Sequence, residues 1–513
     1  MIKYKTMTSK LPLMRFIKNK KGLKILFVAT EAFPYIKIGG LGEVMYALPK
    51  ALREIGHDAR VIIPKYASIP SDKYKFQNHT EGLDIPSGTE RKIICNVKVI
   101  EGEEDDNIKN YFLENQEFFE QRGSVYGYDD DSARWAVMCR GALEFVRSNV
   151  DKWTPDVIVA SDWQGGLIPN LVKTEYANDP VIAKIATVFS IHNLCYQGMF
   201  DHNHISELDY DDGKSAIPSI SDHKLLKTSF MRRGIRFADA INTVSPNYAR
   251  EITTPEYGEL LDTILQERRS RIFGILNGID YTSNDPSTNP HVEYKYSSRC
   301  FGDRIKNKTS LQRKFNLKED ESIPLFAIVS RLSEQKGLDL LTNIIEPLLS
   351  NYEFQLIVLG TGDSRFLSFF GDLDKRYPQV STHLSFDRAL PHTIYAGADI
   401  ILIPSRFEPC GLTQMEAMRY GAIPLVRKTG GLADSVEKYS PIQKTGTGFV
   451  FEKYNNFALY GAMVEAIETY KYKNNWKDMQ KRAMNANFSW KKSAIEYEEL
   501  FKKAINFNKE SKE

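Results

Sequence analysis

Glu408 stands in the run Ser405-Arg406-Phe407-Glu408-Pro409-Cys410-Gly411-Leu412-Thr413-Gln414, after the apolar segment Ile400-Ile401-Leu402-Ile403-Pro404 and before a helical pattern opening at Gln414. Strand, loop and helix in that order place a carboxylate at the carboxyl end of a parallel strand, with helix-start amides beside it. Ligands of open α/β sheets bind at such points, and helix N-termini favour phosphate oxygens. Two cations, Arg331 and Lys336, share the loop Ser330-Arg331-Leu332-Ser333-Glu334-Gln335-Lys336-Gly337, which follows the strand pattern Leu325-Phe326-Ala327-Ile328-Val329. They suit a departing diphosphate, which gains negative charge as a sugar–phosphate bond breaks. Ordinary surface charge is the competing reading.

Four further places could bear chemistry. Lys37-Ile38-Gly39-Gly40 sets a cation and two glycines before a helix, so backbone amides could approach an anion closely. A loop that merely turns the chain has the same residues, and the Walker lysine arrangement is absent. His192-Asn193 ends the strand pattern at Ile191 and is open to a catalytic or a structural role. Asp162-Trp163-Gln164 offers a carboxylate and an aromatic face for a sugar, or a helix cap over a core tryptophan. Glu416 follows Glu408 by eight positions but lies inside the helical pattern, a spacing that does not by itself make an acid/base pair. Cys410 has no neighbouring base and reads as a packed or pocket-lining thiol.

These residues need strands to position them. Lys24-Ile25-Leu26-Phe27-Val28-Ala29, a helical pattern over 44–52 and Ala59-Arg60-Val61-Ile62-Ile63-Pro64 form a βαβ unit. Strand patterns recur at 157–160, 186–191 and 240–244, each ending at a polar residue: Asp162, His192, Ser245. Residues 70–130 look like an insertion, with a charged segment over 101–106. A second series follows at 325–329, 355–359, 400–404 and 423–426. The polar stretch 280–308 reads as the connection between two doubly wound domains. Lys37-Ile38-Gly39-Gly40-Leu41 recurs in form as Lys428-Thr429-Gly430-Gly431-Leu432. Residues 493–504 have helical apolar spacing, and the Lys-rich end beyond them reads as a frayed tail.

With 513 residues, 42% of them hydrophobic and 26% charged, the chain can bury large cores in two or more domains. A net charge of +2 calls for neither nucleic acid nor an acidic membrane as partner. The apolar runs fall short of the roughly 18–20 residues that span a bilayer. Five cysteines without a CxxC pair argue against a disulfide framework or zinc ribbon and for a reducing compartment. The first 22 residues hold seven Lys or Arg and no acid, which reads as a solvated basic tail or, alternatively, a targeting segment.

Together the segments resemble the bacterial glycogen synthase and plant starch synthase family of retaining glucosyltransferases. The match runs from about Lys24 to the terminal helix and includes His192-Asn193-Leu194-Cys195-Tyr196-Gln197-Gly198, Glu251-Ile252-Thr253-Thr254-Pro255-Glu256-Tyr257-Gly258 and Gly274-Ile275-Leu276-Asn277-Gly278-Ile279-Asp280. The resemblance implies an α/β fold of two Rossmann-like domains facing a deep cleft, called GT-B. The domains expected are a tail over 1–22, an acceptor-side domain over 23–290, a nucleotide-sugar domain over 291–490, and a helix and tail over 491–513 returning to the first domain. It implies transfer of glucose from a nucleotide diphosphoglucose, most simply ADP-glucose, to the non-reducing end of glycogen or a maltooligosaccharide, in the cytoplasm, with no metal or cofactor. A plastid is the alternative address if the basic tail is a targeting segment.

By position, Arg331 and Lys336 would hold the diphosphate, approached from the other domain by Lys37 and the Gly39 and Gly40 amides. His192 would orient glucose. Asp162 and Asn277 would line the sugar side of the cleft, Glu408 would bind glucose hydroxyls, and the segment Cys410, Gly411, Leu412, Thr413 would support sugar and phosphate. Three positions depart from the family: Glu43 replaces an Asp, Phe386 replaces a base-stacking Tyr, and Glu416 stands where an apolar residue is common. Glu416 would grip ribose or lie on a solvated helix face. These departures leave UDP-glucose open as donor. Two other readings remain: a GT-B enzyme with a different acceptor, and a catalytically silent glucan-binding protein.

Overall fold

The structure, a computed structural model, describes residues 22–102, 108–198 and 211–512. The basic tail up to residue 21 and the acidic segment 103–107 lie outside the described residues. Among the described residues, fifteen strands fall into two sheets. The first contains β1 (Lys24–Val28), β2 (Asp58–Pro64), β3 (Phe76–Ile85), β4 (Ile93–Ile100), β5 (Lys109–Glu114), β6 (Val157–Ser161), β7 (Ala186–Ile191), β8 (Ala240–Thr243) and β9 (Ile272–Gly274). The second contains β10 (Leu325–Val329), β11 (Gln355–Leu359), β12 (Val380–His383), β13 (Ile400–Ile403), β14 (Ile423–Arg427) and β15 (Phe449–Phe451).

The first sheet has the order β3-β4-β5-β2-β1-β6-β7-β8-β9, and the second β12-β11-β10-β13-β14-β15. In each, the chain builds one side of a strand and then crosses to its other side: β1 lies between β2 and β6, and β10 between β11 and β13. Such reversals open a crevice at the strands' carboxyl ends. Parallel strands covered on both faces read as mostly apolar runs, which is why β1, β6, β7, β10, β11 and β13 were visible in the sequence. This is the two-domain α/β arrangement expected of GT-B.

Residues 70–130 are not a separate insertion. β3 and β4 pair antiparallel, as do β4 and β5, while β5 runs parallel to β2 and so extends the first sheet. β3 alternates exposed and buried residues weakly, and an antiparallel edge tolerates one wet face, so its period is diluted. Helix Gly40–Glu54 buries Leu41, Val44, Met45, Leu48 and Leu52, a helical stripe that fixes the loop before it against the sheet.

The last helix runs Trp490–Glu510, beyond the expected 493–504, and packs on helix Gly40–Glu54 and β7 of the first domain. Its end is anchored, not frayed. Asn508 is 2% exposed, accepts from Lys173 Nζ at 2.8 Å and donates to the Lys184 carbonyl at 3.0 Å. The chain's two passages between the domains lie side by side, with a bridge between Ile279 and Ser489. No helix among the described residues is long and apolar enough to cross a membrane.

Candidate active site

In the second domain the site is built at the β10/β13 crevice. Lys336 ends a short 3-10 turn, and Gly337 follows with φ 70°. A side chain there would place its Cβ 1.9 Å from the Pro404 carbonyl oxygen, so glycine alone lets the cationic loop touch the end of β13. The Arg406 amide donates to the Gln335 carbonyl at 2.8 Å and ties the two loops together. As a result Lys336 Nζ donates to Glu408 Oε2 at 2.6 Å, and Ser405 Oγ donates to the same oxygen at 3.0 Å. Glu408 is buried, whereas Arg331 stands exposed just past β10. A narrow cavity of about 60 Å³ runs between these loops, lined by Ser330, Lys336, Ser405, Glu408, Gly411 and Thr413. A wider groove of about 630 Å³ lies along β9 and the last helix, away from all these residues.

Cys410 is buried, and burial pushes its thiol up to about 12, so it stays protonated at neutral pH. It packs as the sequence suggested. Leu412 and Thr413 lead into helix Thr413–Arg419, whose buried Gln414 donates to the Cys410 and Gly411 carbonyls at 3.2 and 2.9 Å.

The first domain carries the other candidate residues at the ends of its own strands. Asp162 begins a short helix after β6 with φ 51°, a left-handed conformation that Asp tolerates better than most residues. Its Oδ1 accepts from the His192 amide at 2.7 Å, so the two strand-end residues are locked together. Burial raises the Asp162 carboxyl above its usual range, opposed by His192 and by the amides it accepts from. The His192 ring Nε2 lies 3.3 Å from Ser190 Oγ. Trp163 is 7% exposed and packs against Phe230, so the aromatic face proposed for sugar is a core contact.

Lys37 pairs with Glu43, the residue that departs from the family's Asp. The Gly39 amide is engaged: it donates to Glu31 Oε2 at 3.0 Å, as does the Ile38 amide to the same oxygen. Gly40 opens the following helix, with no atom near the place where its Cβ would stand.

Residues from both domains converge on Glu416. Burial raises its carboxyl to about 7; repulsion from Glu43 adds to this, while Lys37 and a hydrogen bond to Tyr395 oppose it. Glu416 therefore faces the cleft and is not on a solvated helix face. Asn277, on the loop after β9, is buried beside Cys410, and its side-chain oxygen has no hydrogen-bond partner among the described residues. Phe386, beyond β12, is 82% exposed. No group of three or more His, Cys, Asp or Glu among the described residues could hold a metal ion.

Sequence reasoning missed Glu31, Ser405 and Tyr395. Glu31 could have been found by the rule that located Asp162 and His192, since it too follows a strand of the first sheet. Ser405 lay within the recognised run, but nothing in the spacing showed that it would reach the Glu408 carboxylate. Tyr395 comes from a different helix and has no sequence signal.

Residues 24–267 match the family described as Starch synthase catalytic domain, and residues 308–483 match Glycosyl transferases group 1. The chain is 43% identical over 489 residues to a glycogen synthase of Clostridium perfringens (strain 13 / Type A), covering 94% of this chain and 99% of that one. A glycogen synthase of Anoxybacillus flavithermus is 40% identical over 481 residues, covering 93% and 97%. The fold is similar to the catalytic domain of starch synthase IV from Arabidopsis thaliana bound to ADP and acarbose, with TM-score 0.79, 31% identity, and 94% and 100% of the two chains covered. A sucrose-phosphate synthase of Thermosynechococcus elongatus shares the fold at TM-score 0.56 and 16% identity, covering 94% and 98%. This chain belongs to the glycogen synthase and starch synthase family of glycosyltransferases.

Proposed function

We propose that this chain lengthens an α-1,4-glucan, glycogen or a maltooligosaccharide, by transferring glucose from ADP-glucose to its non-reducing end with retention of configuration. The observation that carries the reading is the Lys336–Glu408 contact in the β10/β13 crevice, a cation and a carboxylate where donor phosphate and sugar would meet. The Arabidopsis starch synthase IV of similar fold was seen with ADP, which supports adenine as the donor base. The bacterial relatives favour a cytoplasmic place of work over a plastid.

In this reading Arg331 and Lys336 take up the charge of the departing diphosphate, and Lys37 adds to them from the other domain. Lys336 exchanges Glu408 for phosphate oxygens, and Glu408 then accepts hydrogen bonds from glucose hydroxyls. His192, held by Asp162, orients the sugar near the anomeric carbon. The unpartnered oxygen of Asn277 accepts from a further hydroxyl. The acceptor hydroxyl attacks from the face the phosphate leaves. Its oxygen bonds the anomeric carbon as the carbon–oxygen bond to phosphate breaks, and its proton passes to the leaving phosphate oxygen. Glu408 binds sugar and forms no covalent intermediate. The charge on the leaving group is met by side-chain cations, so the reading requires no resident metal or cofactor.

The test is glucose incorporation into glycogen from ADP-glucose and from UDP-glucose under matched conditions. Preference for ADP-glucose is expected. Preference for UDP-glucose would keep the reaction and change the donor. Incorporation from neither would overturn the reading in favour of another acceptor or a silent glucan binder.

A further inference from the structure

Glu251 belongs to the first domain, at the end of helix Pro246–Glu251, yet its carboxylate serves the second. Both of its oxygens lie 3.0 Å from the Gly430 amide, and Thr429 Oγ1 donates to Oε1 at 3.2 Å. Asn247 Nδ2, on Glu251's own helix, donates to Oε1 at 2.7 Å. The exchange is reciprocal: Asp434, on helix Gly430–Ser435, accepts from the Asn247 amide through Oδ2 at 2.6 Å. Each domain thus caps the start of a helix in the other. Burial holds both carboxyls above their usual range, offset by the donors they face.

The Thr429–Gly431 segment that Glu251 grips leans directly on the Glu408 loop. The Gly431 amide donates to the Glu408 and Pro409 carbonyls, both at 3.1 Å. Gly430 has φ 43°, and a Cβ there would stand 1.9 Å from the Glu408 carbonyl oxygen. The backbone of the sugar-binding carboxylate therefore rests on a segment fixed from across the cleft. The same Lys-x-Gly-Gly-Leu form occurs at 37–41, where Glu31 of the same domain accepts from the loop amides. At 428–432 the capping carboxylate comes from the other domain.

We infer that Glu251 is a positioning residue for glucosyl transfer, acting through Thr429, Gly430 and Gly431 to place the Glu408 loop when the two domains are together. The kinetic part of this inference rests on the transfer reading above; the structural part does not. When the domains separate, the Gly430 amide loses its acceptor and the segment under the Glu408 loop loses its anchor across the cleft, so the reacting geometry is held only in the closed enzyme.

The test compares Glu251→Ala, Glu251→Gln and the wild type in the full chain, each first shown to be folded by thermal unfolding. In Glu251→Ala, amide hydrogen exchange over 408–413 and at Gly431 is expected to speed at least fivefold. Turnover should fall at least tenfold while ADP binding by Arg331 and Lys336 stays within threefold. Glu251→Gln keeps an oxygen that can accept from Gly430 and should recover most of the loss. In a Glu408→Ala background the further loss from Glu251→Ala should shrink below threefold, because both changes act on one unit. Glu251→Asp, one methylene short, is read in the same way if the alanine variant does not fold. Unchanged exchange over 408–413, or an undiminished loss in the Glu408→Ala background, would overturn the inference. A wild type that transfers no glucose would overturn the transfer reading, and the exchange data would still decide the role of Glu251.

Discussion

Lys336 Nζ and Glu408 Oε2 are 2.6 Å apart, so the cation proposed for phosphate and the carboxylate proposed for sugar neutralise one another in the β10/β13 crevice. Neither is a bare charge waiting in a half-buried crevice. Binding a nucleotide sugar must therefore replace one contact by two. Lys336→Ala is expected to lower turnover about 10²–10³-fold, the usual loss when one preorganised charge-stabilising donor is removed. Glu408→Gln keeps an acceptor for Ser405 and should stay folded while turnover falls on the order of 10²–10³-fold. Steady-state kinetics and thermal unfolding check both. Full activity in a folded Lys336→Ala protein would end its assignment to the leaving group.

The Glu416 carboxyl makes stability depend on pH in a definite direction. Its ordinary value is 4.5, and in the folded protein it rises to about 7, chiefly through burial. Between those values the folded state holds more protons than the unfolded chain, so this group makes stability fall as pH rises. Glu416→Gln removes the effect. The variant should match the wild type near pH 4 and exceed it at pH 8 by on the order of 1–3 kcal/mol. Urea titrations at the two pH values test this, and equal stability at pH 8 would count against a raised Glu416 carboxyl.

Phe386 is 82% exposed at the rim of the second domain, where a nucleobase could stack. An aromatic stack contributes roughly 0.5–1.5 kcal/mol, so Phe386→Ala should raise the donor KM about two- to tenfold. Unfolding temperature should not move, because the ring packs on little. A donor KM unchanged by the substitution would remove Phe386 from the base site.

Gly337 permits the close approach that joins Lys336 to the end of β13. Gly337→Ala would require a left-handed residue whose Cβ meets the Pro404 carbonyl oxygen at 1.9 Å. A loss of about 1–3 kcal/mol in stability is expected from the conformation alone. Transfer should fall as well, since the loop must move away from Glu408. Denaturation and kinetics on the same preparation separate the two effects.

Cys410 should resist alkylation at pH 8, because burial holds its thiol at about 12, while the exposed Cys300 should react first. Cys410→Ser should retain transfer within a fewfold. Peptide mapping after brief iodoacetamide treatment checks the order of labelling. Early loss of activity tracking Cys410 modification would show a reactive thiol.

The sequence revealed those parts of the fold whose burial is complete. β1, β6, β7, β10, β11 and β13 are mostly apolar and almost wholly buried, and the polar residues just after them carry most of the candidate site. β3, β4, β5, β9, β12 and β15 were not visible: β3 and β4 have a partly wet face, β5 and β12 carry polar residues among the apolar ones, and β9 and β15 are three residues long. Local pattern also placed Arg331, Lys336, Glu408 and His192 at strand ends. It could not show that Lys336 is held by Glu408, that the Gly39 amide is already taken by Glu31, or that Trp163 faces the core. Those depend on which loops touch after folding. Glu416 shows the limit most clearly: beyond its burial, its neighbours include Glu43 and Lys37, hundreds of positions earlier in the chain.

Helix Trp490–Glu510 is made after the second domain and yet completes the first. Phe501 meets Phe27 edge-on at 6.5 Å, and the Tyr497 hydroxyl donates to Asn242 Oδ1 at 2.8 Å inside the first domain. Domains generally fold as units in the order of synthesis. Here the ribosome must finish the whole second domain before the first can be sealed, so the order of translation and the order of completion are reversed. An early stop just before Trp490 would leave the second sheet whole and open the first along the face of β7.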